Sequence, residues 1–110
     1  MDKKLVITGM GAVTPIGIGV DNYWNNLIAG KCGIRELADW DLDVNIAAVC
    51  EDFDPVEFMP KRKSLEMSRF IQFAYAAAEE AIKMSGLPDD SERTGITVGT
   101  ALDGFEYITK

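Results

Sequence analysis

Two glycines near the beginning of this chain have the spacing of a phosphate-binding turn. Residues 5–20, LVITGMGAVTPIGIGV, pass from an apolar stretch to Gly9 and Gly11 and then towards a helix-like segment. A glycine-rich turn between a strand and a helix can hold a phosphate, because backbone N–H groups can approach it closely there. The dinucleotide-binding pattern requires a third glycine, but Thr14 occupies that position and Pro15 follows it.

The acidic residue that would bind a ribose is also absent from its expected place. In the dinucleotide pattern it follows about twenty positions after the glycines, whereas Asp39 and Asp41 lie further on, in a predicted loop. We therefore interpret Gly9 and Gly11 as residues that allow a tight turn and close packing of the chain. A free-standing nucleotide-binding domain is the less favoured alternative.

The chain has few residues for nucleophilic or metal chemistry. Cys32 and Cys50 are its two cysteines, and it has no histidine. This removes Ser-His and Cys-His pairs and the commonest zinc ligand. Two isolated cysteines also suit neither a disulfide framework nor a CxxC metal site. We predict no metal and no cofactor, and we interpret both cysteines as packing residues, with Cys50 the better candidate for burial.

Charge excludes some partners and leaves one basic cluster. Eleven basic and eighteen acidic residues give a net charge of −7, which argues against nucleic acid and anionic membranes as partners. Lys61, Arg62 and Lys63 are consecutive, and by themselves they predict a solvated surface run. No apolar run approaches the length of a membrane-spanning helix, and no signal-peptide core follows the N-terminus, so we expect a cytoplasmic protein.

The hydrophobic pattern predicts strands that alternate with helices. In the first half of the chain we expect a buried strand at Lys4–Thr8, a helix at Asn22–Ala29 capped by Asp21 and ended by Gly30, a loop at Gly33–Asp43 and a strand at 44–50. A helical turn capped by Asp54, with Pro55 at its first position, should follow. The second half should contain a long helix at Ser64–Ser85 ended by Gly86, a strand at 95–101 and a helix from Asp103. Apolar residues cover two sides of the long helix, which predicts burial on more than one side. We interpret the chain as a truncated piece of a larger α/β protein.

Five segments together resemble a known enzyme family. They are VITGMGAVTPIG, YWNNLIAGKCGI, DFDP, MSRFIQFAYAAAEEAI and GITVGTALDGF, in this order. Their order and spacing resemble the N-terminal segment of β-ketoacyl-acyl-carrier-protein synthases of the ketosynthase II type. The resemblance implies an α/β, partial thiolase-like fold, the N-terminal βαβαβ portion of a layered αβαβα architecture. It also implies that residues 1–110 are one segment of a ketosynthase domain.

The resemblance implies decarboxylative Claisen condensation of an acyl thioester with malonyl-acyl carrier protein, in fatty-acid or polyketide synthesis. In the family, a cysteine carries the acyl chain and two histidines assist decarboxylation and stabilise the oxyanion. None of these falls in this segment, and Cys32 and Cys50 match non-catalytic positions. The implied enzyme is a cytoplasmic homodimer without a cofactor, whereas this chain alone is expected to be inactive.

Three site residues follow from the resemblance. Leu102 matches an apolar residue beside the acyl pocket, although an ordinary core leucine is an equal alternative. Lys61 and Arg62 match basic residues that meet the acidic acyl carrier protein.

The chain also departs from the family pattern at two places. Residues 99–104, GTALDG, replace a more glycine-rich run, and Ser68 stands where many relatives have aspartate. A non-catalytic, chain-length-factor-like subunit is therefore the alternative within the family.

Overall fold

The computed structural model describes residues 2–88 and 92–101. Its elements follow one another as β1 (Val13–Thr14), β2 (Gly17–Ile18), α1 (Val20–Ile28), β3 (Ile34–Glu36), β4 (Ile46–Ala48), a 3-10 turn (Pro55–Glu57), α2 (Lys61–Leu65) and α3 (Arg69–Ser85). The chain therefore contains both strands and helices, but they do not alternate as predicted, because the strands occur in pairs and α3 follows α2 directly. The helix predicted from Asp103 lies outside the described residues.

The strands form two antiparallel hairpins. In the first, Val13 pairs with Ile18 and Thr14 with Gly17. In the second, Ile34 pairs with Ala48 and Glu36 with Ile46. Strand β4 confirms the strand predicted at 44–50. The loop predicted at Gly33–Asp43 is wrong in part, because β3 lies within it. Strand β3 forms through its pairing with β4, which is about ten residues further along the chain.

Helix α1 begins earlier than predicted and is capped differently. The helix starts at Val20, and its N-cap residue is Gly19. Glycine has no side chain that could accept a hydrogen bond from the first helical amides. Asp21 lies in the first turn, where its charge suits the helix dipole, but it is not the cap. The carboxylate of Glu80 supplies this role from α3, because its Oε1 accepts from Val20 N at 2.8 Å. The predicted Asp21 cap is therefore wrong.

The predicted long helix is divided into two. Helix α2 ends at Leu65, and α3 starts at Arg69 after Ser68, whose ψ of 159° is extended. The end is as predicted, since Gly86 adopts a left-handed conformation with φ of 61°. The predicted turn after Asp54 is also confirmed, because Asp54 Oδ1 accepts from Val56 N at 3.0 Å and Pro55 is the first helical residue.

The two glycines of the opening segment lie directly against α3. A Cβ at Gly9 would overlap the carbonyl oxygen of Ala81, and one at Gly11 would overlap that of Ala77. Backbone atoms cannot move aside as a flexible side chain can, so both positions require glycine. This contact confirms that these glycines allow close packing of the chain.

A small core lies between α3 and the segment that precedes α2. Phe53, Met59 and Ala76 are its buried apolar residues. The Phe53 ring stacks on Phe58 with centroids 5.3 Å apart, and it meets Phe73 edge-on at 5.0 Å. Among the apolar residues that predicted a second buried side of α3, Ile71 and Ile82 are exposed. Burial of α3 on more than one side is therefore not seen in this chain.

Two of the predicted strands do not form. Residues 4–8 and 95–101 belong to no strand, and Leu5 and Ile96 are 99% and 89% exposed. An isolated extended segment is not stable as a strand, because its backbone donors and acceptors need a neighbouring strand. The buried strand at Lys4–Thr8 and the strand at 95–101 are therefore wrong for this structure.

Candidate functional site

The basic cluster Lys61-Arg62-Lys63 occupies the first three positions of α2, immediately after Pro60. All three residues are exposed. Arg62 Nε lies 3.6 Å from Glu66 Oε1, and both side chains are largely in solvent, at 94% and 69% exposure. Such a surface pair stabilises the fold very little. The cluster thus presents cationic groups to solvent, in agreement with the predicted surface position of Lys61 and Arg62.

The opposite side of α2 faces the protein. Ser64 is buried, and its Oγ donates to the carbonyl of Lys61 at 2.8 Å. Met59, just before the helix, is also buried. Because the inner side is anchored, the three cationic side chains point away from the core.

Gln72 joins α2 to α3. Its side chain is buried, and Nε2 donates to the carbonyl oxygens of Ser64 at 2.8 Å and Met67 at 3.3 Å. In an unbroken helix the amide of Ser68 would donate to the Ser64 carbonyl. The Gln72 side chain donates to this carbonyl instead, and the amide of Met67 donates to it as well at 3.4 Å, so the Ser64 carbonyl stays paired although the helix breaks between α2 and α3.

Arg69 extends this connection to the segment after β4. Its Nη2 donates to the carbonyl oxygens of Cys50 at 3.1 Å and Phe53 at 3.0 Å, and its Nη1 donates to Gln72 Oε1 at 3.4 Å. The guanidinium carbon also lies 4.9 Å from the ring centroids of Phe53 and Phe73. We call Arg69 and Gln72 together the Arg69–Gln72 bridge.

Sequence reasoning did not single out this bridge. The sequence assigned no role to Arg69 or Gln72, although both lie within the segment MSRFIQFAYAAAEEAI. The available signal was a lone amide within the apolar run FIQFAYAAA. A polar side chain in such a run is buried only where it has hydrogen-bond partners.

Neither cysteine occupies a catalytic arrangement. Cys32 is exposed, and Cys50 is partly buried with its thiol 3.2 Å from the Thr14 carbonyl. Burial raises the pKa of the Cys50 thiol, the nearby charge of Asp52 adds to this, and Arg69 opposes both. Cys50 also lines an open cavity of about 430 Å³ with Glu51 and Asp52, and the charge of Asp52 disfavours a thiolate there. The packing role predicted for Cys50 agrees with this position, whereas Cys32 packs little.

The three remaining features are the residue Leu102, groups of metal-ligating side chains and membrane-spanning helices. Leu102 lies outside the described residues. Residues 2–88 and 92–101 contain no group of three or more histidine, cysteine, aspartate or glutamate residues arranged to hold a metal ion. Among the helices within those ranges, none is long and apolar enough to cross a membrane.

Comparison with known proteins decides the family. The model of the β-ketoacyl synthase N-terminal domain matches residues 2–110. The chain belongs to the β-ketoacyl synthase family. The resemblance found in the five sequence segments is thereby confirmed.

Curated relatives show how much of such a protein is present. The chain is 32% identical to 3-oxoacyl-[acyl-carrier-protein] synthase 2 of Vibrio harveyi, over 96% of this chain and 27% of the relative. It is 33% identical to the protein of the same name from Coxiella burnetii, over 98% of this chain and 28% of the relative. The chain therefore spans about a quarter of the length of these relatives.

Solved structures of the family have the same fold. A β-ketoacyl synthase from Burkholderia phymatum is 34% identical and superposes with a TM-score of 0.65, over 78% of this chain and 22% of that one. The ishigamide ketosynthase/chain length factor is also 34% identical, with a TM-score of 0.62, over 76% of this chain and 22% of that one. The ketosynthase segment thus has the predicted partial thiolase-like α/β fold.

Proposed function

We propose that residues 1–110 are the N-terminal segment of a β-ketoacyl-acyl-carrier-protein synthase. The full-length protein joins an acyl thioester to malonyl-acyl carrier protein by decarboxylative Claisen condensation, in fatty-acid or polyketide synthesis. The match of the β-ketoacyl synthase N-terminal domain over residues 2–110 is the observation that carries this proposal. The full-length enzyme acts as a homodimer in the cytoplasm.

Within this proposal, the segment does not supply the reacting groups. The chemistry requires a thiolate nucleophile and donors directed at the developing oxyanion. The chain has no histidine, and Cys50 is a partly buried thiol whose pKa is raised by burial and by the nearby Asp52. The isolated chain is therefore inactive, and the catalytic cysteine and histidines belong to another part of the full-length protein.

The segment instead contributes to substrate recognition. Lys61 and Arg62 project from α2 into solvent and dock the acidic acyl carrier protein. Complementary charge of this kind raises the rate of encounter and is weakened by salt. Leu102 contacts the acyl chain and influences the preferred chain length.

A non-catalytic partner subunit is the second candidate, because one matching structure is a ketosynthase/chain length factor. Determining the sequence beyond Lys110 in the gene and assaying the full-length protein separates the two. A cysteine and two histidines with condensing activity support the enzyme. Their absence, with activity only in the presence of a second ketosynthase, supports the non-catalytic subunit.

Charge reversal tests docking. In the full-length protein, Lys61→Glu with Arg62→Glu raises KM for the acyl-carrier substrate and leaves KM for a small thioester analogue unchanged. The matched control is Lys31→Glu with Lys83→Glu, which changes the net charge equally at two other exposed lysines. Equal effects of the two double variants would contradict docking at α2. Leu102→Ala is tested separately, and an unaltered chain-length profile would contradict its assignment.

A further inference from the structure

The basic cluster lies on a helix that is too short to be stable by itself. Helix α2 has five residues, whereas isolated helices shorter than about 12–15 residues are marginal in water. Three adjacent cations also repel one another, which disfavours holding them on one short helix. The orientation of Lys61 and Arg62 must therefore be set by contacts outside α2.

The Arg69–Gln72 bridge provides hydrogen bonds of this kind, in addition to the packing of buried Met59 just before the helix. Gln72 Nε2 binds the carbonyl of Ser64 in α2 and the carbonyl of Met67 in the connection to α3. Gln72 Oε1 is in turn held by Arg69, whose other amino group binds the carbonyls of Cys50 and Phe53. Two side chains thus connect three parts of the chain around the base of the cluster.

We propose that Gln72 is a positioning residue for carrier-protein docking, and that it acts by holding α2 in the orientation that presents Lys61 and Arg62. This inference rests on the proposed docking function of the cluster. Gln72 is buried and does not touch the carrier. Its effect on catalysis is therefore confined to substrates that use the cluster.

The test uses the full-length protein with Gln72→Leu and Gln72→Glu. Leucine cannot donate to the two carbonyls, and glutamate keeps the side-chain length but places a carboxylate against them. We expect KM for the acyl-carrier substrate to rise about threefold to tenfold, because the net free energy of even one typical hydrogen bond corresponds to a change of this size. The kcat and the KM for a small thioester stay unchanged, and amide hydrogen exchange increases in residues 61–65 but not in α3.

Two comparisons separate positioning from a general loss of stability. Asn26→Leu removes another partly buried amide that donates to a backbone carbonyl, that of Ile16, away from α2. This control should destabilise the fold without a selective effect on the carrier substrate. In addition, Gln72→Leu should cause no further rise in KM when Lys61→Glu and Arg62→Glu are already present, because the cluster it orients is then lost.

The outcomes distinguish this inference from the docking proposal. If Lys61→Glu with Arg62→Glu leaves KM for the carrier substrate unchanged, docking at α2 is refuted and the inference falls with it. If that double variant raises KM but the Gln72 variants do not, only the positioning role is overturned. Equal losses with carrier and small-thioester substrates, or failure of both Gln72 variants to fold, would also overturn it, because either result assigns Gln72 a general structural role.

Discussion

The carboxylate of Glu80 binds the first amide of α1, with its Oε1 2.8 Å from the backbone nitrogen of Val20. Its Oε2 accepts from Ala12 N at 3.0 Å, beside the β1–β2 hairpin. One side chain of α3 thus pairs two backbone donors from separate elements. Because Gly19 precedes α1 and offers no side-chain oxygen, Glu80 takes the place of a local cap.

Removing this carboxylate should destabilise the fold. We expect Glu80→Ala to lower the free energy of unfolding by about 1–3 kcal/mol, because the amides of Val20 and Ala12 lose their acceptors. Glu79→Ala is the control, since Glu79 is the exposed neighbour on the same helix. Urea denaturation of the two variants measures the difference, and similar midpoints would contradict a capping role for Glu80.

A methyl group at Gly11 should also destabilise the fold. In Gly11→Ala the new Cβ meets the carbonyl oxygen of Ala77, so the opening segment and α3 must separate. We expect a loss of about 1–3 kcal/mol, as for other overpacked sites. Gly95→Ala is the matched control, because no atom lies within 4 Å of its Cβ position. Thermal unfolding compares the two, and an unaffected Gly11→Ala variant would refute the close contact.

Two buried serines should respond differently to loss of their hydroxyl groups. Within residues 2–88 and 92–101, the Ser68 Oγ is buried without a hydrogen-bond partner, whereas Ser64 Oγ donates to the Lys61 carbonyl. We expect Ser68→Ala to be neutral or slightly stabilising, and Ser64→Ala to cost about 0.5–1.5 kcal/mol. Chemical denaturation tests this order, and a larger loss for Ser68→Ala would show that its hydroxyl has a partner after all.

The two cysteines should differ in alkylation. Iodoacetamide reacts with the thiolate. Burial raises the pKa of the Cys50 thiol, Arg69 lowers it and Asp52 raises it further, with a net increase. Exposed Cys32 should therefore react faster at neutral pH, while Cys50 reacts appreciably only in more alkaline solution. Mass spectrometry of Cys32→Ser and Cys50→Ser variants gives each rate separately. Faster labelling of Cys50 at neutral pH would contradict its assigned surroundings.

The raised pKa of Cys50 also has a defined effect on stability. An unfolded chain ionises its thiol at a lower pH than the folded chain. The contribution of Cys50 to stability is therefore complete below the unfolded-state pKa and is lost as the pH rises through the folded-state pKa. Cys50→Ser should flatten the decline of stability in alkaline solution, which urea midpoints across that range would reveal.

Local sequence signals were sufficient for several elements and for the family. Asp54 followed by Pro55 predicted the 3-10 turn, and Gly86 predicted the end of α3. These signals depend on residues a few positions apart, which is why they can be interpreted without the fold. Likewise, the five motifs identified the β-ketoacyl synthase family that the comparison established.

Tertiary structure decided what depends on residues far apart in the chain. Strand β3 exists through its pairing with β4, the cap of α1 comes from Glu80 in α3, and the break before Arg69 accompanies the Gln72 bonds to Ser64 and Met67. Residues 4–8 have the composition of a buried strand, but they do not form one, because no neighbouring strand within the described part of the chain pairs with them. The sequence by itself determined the family, the turn after Asp54, the end of α3 and the exposed basic cluster. Only the tertiary structure decided which backbone groups are paired, because hydrogen bonds between distant residues leave no periodic pattern along the chain.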